Sequence, residues 1–161
     1  MISPDKLAGM ARAARKEHAA LVKQLVAGDH RKLDERLHAL HEEVFTTLNC
    51  LDCAHCCRTL GPRITDTDIR RIAASLKMKP SAFTGQYLVL DEEGDYIFRS
   101  MPCPFLGSDN ECSIYPDRPR ACREYPHTDR ARMYQVLPLA LKNSAVCPAV
   151  FEILERLRKG E

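Results

Sequence analysis

Residues 49–63 read NCLDCAHCCRTLGPR, and the rest of the chain is best read outward from them. Cys50, Cys53, Cys56 and Cys57 crowd a stretch too cysteine-dense and too aperiodic for a packed helix or strand, so it is expected to be a ligand loop. Two residues between successive cysteines let their thiolates converge on one centre from a tight loop whose backbone amides also point inward. Zinc and iron–sulfur sites share that spacing. Cys50, Cys53 and Cys56 are therefore expected on one centre. A tetrahedral zinc site or a cubane needs four anchors, so at least one distant thiolate should complete it. Consecutive side chains point in different directions, so Cys57 is not expected to share a small centre with Cys56. It serves a second centre or none.

Four more cysteines follow, Cys103, Cys112, Cys122 and Cys147, which brings the total to eight, enough for two four-thiolate sites. All eight are candidate metal ligands. Prolines follow directly at Cys103-Pro104 and Cys147-Pro148. Iron–sulfur ligand loops often carry that proline, which leans the reading towards a cluster and leaves a zinc ion as the alternative. Cys147-Pro148 also stands where the last helix is expected to begin, and the positive end of a helix lowers a thiol pKa. The opening residues, MISPDKLAGMARAARKEH, hold no continuous apolar run of the kind a secretory signal needs, so a cytoplasmic setting is expected. In a reducing compartment clustered cysteines are metal ligands or redox thiols more often than disulfides.

Composition narrows the class further. The 161 residues are 45% hydrophobic and 29% charged, the range of an ordinary globular domain, and a formal charge of +2 is too mild to imply nucleic-acid binding. No run approaches the roughly 18 apolar residues of a membrane span, so no membrane association is expected. The expected fold is α+β and predominantly helical. A helical hairpin over residues 1–48 packs on a cysteine-rich metal-binding module over 49–161 that carries a small β-hairpin, the whole forming one compact domain.

The elements are read as follows. Ser3-Pro4-Asp5 starts one helix, Gly28 ends it, and Asp29 caps the next. Leu33, Leu37, Leu40, Val44 and Leu48 form the stripe of the second. Thr65 to Asp68 caps a helix running to Lys77, with Ile69, Ile72 and Leu76 inward. A short turn of helix follows from Pro80. Residues 87–90 and 96–98 form a hairpin, and Met133–Leu137 reads as a strand leading into a short helix. Prolines between Met101 and Pro126 exclude long regular elements, and a final helix covers Pro148 to Arg158.

The motif Cys50-x2-Cys53-x2-Cys56-Cys57, with Cys103-Pro104-Phe105-Leu106, Cys112-Ser113-Ile114-Tyr115-x2-Arg118-Pro119-x2-Cys122-Arg123 and the Ile64-Thr65-x2-Asp68 helix start, resembles the YkgJ-type family of zinc- or iron-chelating cysteine-cluster proteins over about residues 45–150. The resemblance implies a metal-chelating role for the eight cysteines. The family also includes a domain of flagellin lysine methylases, which implies an iron–sulfur centre and opens the alternative of a redox or S-adenosylmethionine-linked protein-modifying enzyme.

Around the thiolates, Arg118, Arg120 and Arg123 are expected to offset negative charge, or else to pair with Asp117 and Glu124. His55 and His127 are minor ligand candidates, and His18, His30, His38 and His41 read as surface residues. No Ser–His–Asp pattern, paired carboxylates or phosphate loop is visible, so no catalytic residue is assigned. The leading expectation is a metal-binding protein whose centre is structural, electron-transferring or sensing. A zinc-stabilised adaptor with an unidentified protein partner is the remaining alternative.

Overall fold

Helix α1 (Pro4–Val26) begins with Ser3 extended at the N-cap and a proline in the first turn, although the Ser3 side chain makes no capping hydrogen bond. Helix α2 (His30–Thr47) is capped by Asp29, which accepts from the amides of Arg31 and Lys32. These elements belong to a computed structural model that describes residues 2–160. The chain divides into two compact units, Met1–Cys53 with Pro126–Glu161 and Ala54–Tyr125.

The first unit is all helical. Its closing helices are α7 (Leu137–Asn143) and α8 (Pro148–Lys159). The α2 stripe of Leu33, Leu37, Leu40 and Val44 is buried against Met133, Leu137, Ala140, Val150, Ile153 and Leu154. Each large apolar side chain so buried is worth about 1.5–3 kcal/mol. A smaller cluster of Leu7, Ala11 and Phe151 joins α1 to α8. His18 is fully buried beside it, against the expectation of a surface residue. Its Nε2 lies 2.8 Å from Glu155 Oε1 and its ring meets Phe151 edge-on. Those partners come from α8, so nothing in the sequence around His18 marked it as inward.

Met133–Leu137 is not a strand. A 3-10 turn over Met133–Gln135 runs into α7, which carries Pro138 in its first turn. Asp34 accepts the amides of Arg132 and Met133, each at 2.8 Å, and Arg132 is left-handed at φ 59°. An extended segment would lose both bonds.

The second unit holds α3 (His55–Thr59), α4 (Asp66–Ser75), α5 (Pro80–Tyr87), β1 (Leu88–Leu90), β2 (Tyr96–Phe98) and α6 (Arg120–Glu124). The strands pair antiparallel, Leu88 with Phe98 and Leu90 with Tyr96. Asp91 accepts the amides of Glu93 and Asp95, and Gly94 supplies the positive φ of 81° that the turn requires. Ile64, Ile69, Ile72, Phe83, Leu88, Phe98, Phe105 and Ile114 make one core, with Cys103 and Cys112 packed at its margin. The molecule is thus predominantly helical with one two-stranded antiparallel sheet among the described residues. Among those residues no single helix is long and apolar enough to cross a membrane.

Candidate metal centre

The cysteine-dense stretch is not an irregular loop. Cys50–Asp52 is a 3-10 turn whose N-cap residue Asn49 accepts the amide of Leu51, and α3 carries Cys56 and Cys57. Local capping supplies regularity that hydrophobic period could not reveal. No two of the eight cysteines are joined in a disulfide, and all but the exposed Cys50 are half-buried.

The second unit carries five cysteines, Cys56, Cys57, Cys103, Cys112 and Cys122. The amide of Cys103 donates to the carbonyl of Cys57 at 2.9 Å, and Cys103 in turn accepts from Leu106 at 3.0 Å. Leu106 pairs with Cys112 in an antiparallel bridge, and Ser113 donates to Phe105 at 2.9 Å, so residues 103–113 fold back on themselves. The tip is tight enough to need glycine: a Cβ on Gly107 would meet Asp109 Oδ1 at 2.5 Å. Cys122 projects from α6. Its thiol is pushed up to about 12, first by burial and then by the charges of Cys57, Cys103 and Cys112, while Arg118 draws it down. Cys103 is pushed up to about 11 by burial, with Cys112 and Cys57 adding to the rise. Cys112 is also raised, again by burial first, with Cys57 contributing. Cys57, Cys103, Cys112 and Cys122 thus lie within electrostatic reach of one another. Cys57 alone moves down, to about 7, because Cys56 Sγ lies 4.0 Å from its own sulfur and hydrogen-bonds it, and Arg58 adds positive charge.

In the first unit Cys147 is the N-cap residue of α8. Burial pushes its thiol up to about 11, although the amides of Val150 and Ala149 at the helix start work to lower it. The expected lowering is therefore reversed. Cys50 and Cys53 lie close enough to raise it further. The amide of Cys53 donates to the carbonyl of Cys50 at 3.1 Å, which holds that pair in one turn.

The same backbone theme recurs at three sulfurs. Phe105 and Leu106 amides point at Cys103, Ile114 at Cys112, and Ala149 and Val150 at Cys147. A neutral thiol is a weak acceptor, whereas a thiolate gains from such donors. The donor set therefore suits a thiolate-bound metal. In their present positions no three or more His, Cys, Asp or Glu side chains among the described residues are arranged to hold an ion. Buried thiols that keep their protons have no charge to draw them together. A soft metal would displace those protons and close the set.

Of the flanking arginines, Arg118 acts on both Cys112 and Cys122 through its charge, while its guanidinium lies 3.7 Å from the centroid of the Tyr115 ring. Arg120 pairs instead with Glu124 at 2.5 Å, and Arg123 is exposed. His55 opens α3, half-buried, and His127 takes a left-handed backbone conformation at φ 65°.

One residue of the site was legible only in part. Asp68, 1% exposed, closes the capping box of α4 with Thr65, as its spacing predicts. It also accepts Arg71 Nη2 at 2.6 Å and the amide of Arg120 at 3.0 Å. Arg71 Nη2 donates to the carbonyl of Arg118 at 2.9 Å. A buried carboxylate on α4 thus fixes the segment that leads into Cys122. Nothing in Thr65-x2-Asp68 beyond the cap announces that second task.

The model of a family described as a "Putative zinc- or iron-chelating domain" matches residues 49–147. The chain belongs to the CxxCxxCC family. The family's pattern is Cys50 to Cys57, and the matched span ends on Cys147, so all eight cysteines lie within it. Comparison with curated proteins and with solved structures gave no match.

Proposed function

We propose that the protein binds iron or zinc through its cysteine thiolates, Cys50, Cys53, Cys56, Cys57, Cys103, Cys112, Cys122 and Cys147, and that the metal serves first to fix the fold of the cysteine-bearing segments. The observation that carries this reading is the match of residues 49–147, with all eight cysteines, to a zinc- or iron-chelating family, and backbone amides that favour the thiolates of Cys103, Cys112 and Cys147 support it. Such donors are wasted on neutral thiols and stabilise thiolates. The structural role follows from size. Ala54–Tyr125 is a unit of about 70 residues whose regular elements run from three to ten residues. Units that small generally need a disulfide or a metal to supplement the core, and disulfides are not formed here. When bound, the metal supplies a covalent-strength crosslink between loops. The chain's own residues position the sulfurs, donate amides to them and, through Arg118, offset their charge.

Anaerobic purification followed by iron, zinc and acid-labile sulfide analysis tests the proposal. Metal retained by the folded protein, and a fall in melting temperature on chelation, are expected. Iron with equimolar sulfide assigns a cluster, and stoichiometric zinc without sulfide assigns an ion. Eight titratable thiols in a folded protein that takes up neither metal on reconstitution would refute it.

A further inference from the structure

We infer that Cys56 and Cys57 form a two-thiol site for a trivalent arsenical carrying one organic substituent, held ready by the backbone of α3. Neighbouring residues of a helix ordinarily send their side chains apart. The sulfurs of this pair nevertheless lie 4.0 Å from each other and share a hydrogen bond. The backbone beneath them is fixed. The carbonyl of Cys56 accepts the amide of Leu60 at 2.8 Å, and the carbonyl of Cys57 accepts the amide of Cys103 at 2.9 Å. The amide of Arg58 donates to the carbonyl of Ala54 at 3.2 Å. Turning about χ1 is then all that closes the sulfurs on a shared atom. Both cysteines are half-buried, and Arg58 and Thr59 beside them are exposed, so a small reagent reaches them.

The chemistry of the bridge selects the ligand. A disulfide suits the pair poorly, because consecutive Cα atoms stand about 3.8 Å apart, below the roughly 4.4–6.8 Å usual across one. A single atom placed between the sulfurs lengthens the bridge. Thiolates are soft donors and favour soft, polarisable acceptors. A four-coordinate ion needs two more donors. An arsenic atom with one carbon substituent has two bonds left, and two sulfurs complete it. From an arsenical oxide, each thiol gives up its proton, two arsenic–sulfur bonds replace the arsenic–oxygen bond, and the oxygen leaves as water. Arsenic stays trivalent and no electrons are exchanged. The inference goes beyond the metal-binding reading and does not depend on it.

The test treats the reduced, metal-free full-length protein with an equimolar amount of phenylarsine oxide. Thiols left free are blocked with iodoacetamide, the arsenical is stripped with a small dithiol, and the thiols so released are labelled with N-ethylmaleimide and located by peptide mass spectrometry. The second label is expected on Cys56 and Cys57. Its appearance on another pair, such as Cys50 with Cys53, or its spread over all eight cysteines, would overturn the inference and leave metal binding intact. The same label on Cys56 and Cys57 in a protein that takes up neither zinc nor iron would uphold this site and refute the metal reading. Affinity gives a second readout. Joining two binding groups strengthens binding by about 10²–10⁴-fold, so Cys56→Ser and Cys57→Ser should each weaken arsenical binding about 100-fold or more. A folded variant of either kind that holds the arsenical as tightly as wild type would also overturn the inference. The labelling needs no variant, so it decides the matter even where a substitution disturbs the fold.

Discussion

Replacing Asp68 by alanine strips four hydrogen bonds from one buried carboxylate: the Thr65 amide at 3.0 Å, the Thr65 hydroxyl at 2.6 Å, Arg71 at 2.6 Å and the Arg120 amide at 3.0 Å. Loss of the capping box alone costs about 1 kcal/mol. The bond from the charged Arg71 adds about 1.5–3 kcal/mol, and the stranded Arg120 amide adds about 1 kcal/mol or more. Arg71 keeps 26% of its side chain in solvent and can rehydrate, so the lower end of that range applies and the sum is not additive. The expected destabilisation is about 3 kcal/mol, or a fall of about 12–24 °C in the melting transition of this unit. Circular dichroism melts of the apoprotein measure it directly. The pH dependence is a separate check. Burial works to raise the Asp68 pKa, but the hydrogen bonds from Thr65, Arg71 and Arg120 outweigh it and hold the carboxyl below its ordinary value of 3.8. A depressed folded pKa contributes stability above the unfolded value, lost as pH falls through the folded one. Wild type should therefore weaken below about pH 4, and Asp68→Asn should show a shallower acid limb. Asp68→Ala within about 0.5 kcal/mol of wild type, or an acid limb unchanged in Asp68→Asn, would refute the reasoning.

Leu37→Ala, at a site 1% exposed in the helical core, should cost about 2–5 kcal/mol by chemical denaturation, while Leu90→Ala, 59% exposed, should stay within about 0.5 kcal/mol. Gly107→Ala must displace the Asp109 carboxylate that accepts the Glu111 amide at 3.0 Å; a loss of roughly 1–2 kcal/mol and easier removal of metal by a chelator are expected. Metal uptake should release protons, measurable in weakly buffered solution, because thiols such as Cys122, held near 12, must ionise to bind. Retention against a chelator should accordingly weaken from about pH 8 to about pH 6.

What could be read from the sequence followed period and capping. The four-three-four spacing of Leu33, Leu37, Leu40 and Val44 describes a helix face wherever its partner lies, and those side chains are buried. Asp29 and Thr65 act within three residues of themselves, so their caps were legible too. Met133–Leu137 misled because Met-Tyr-Gln-Val-Leu favours strands locally, while its conformation is fixed by Asp34, about a hundred residues earlier. His18 was missed for the same reason, since Glu155 is 137 residues away. At the site, adjacency suggested that Cys56 and Cys57 point apart, but their sulfurs lie 4.0 Å from each other on α3. Which distant thiols accompany Cys57 was not legible either, because the hydrogen bond from Cys103 and the Leu106–Cys112 bridge are tertiary facts. The net rise at Cys147 was hidden likewise: the helix start is a local signal, but the burial that outweighs it is not.

The first unit is discontinuous in the chain, residues 126–161 completing what residues 1–53 begin. On the ribosome this imposes an order of events. Ala54–Tyr125 is fully synthesised before α7 and α8 exist, so it can collapse and take up metal while the first unit is still unfinished. Throughout that interval the stripe of Leu33, Leu37, Leu40 and Val44 lacks the residues of α7 and α8 that will bury it. A nascent chain stalled before Leu137 should therefore expose a sticky apolar face and recruit chaperones. One stalled earlier, before Cys122, would in addition lack two of the eight cysteines, Cys122 and Cys147.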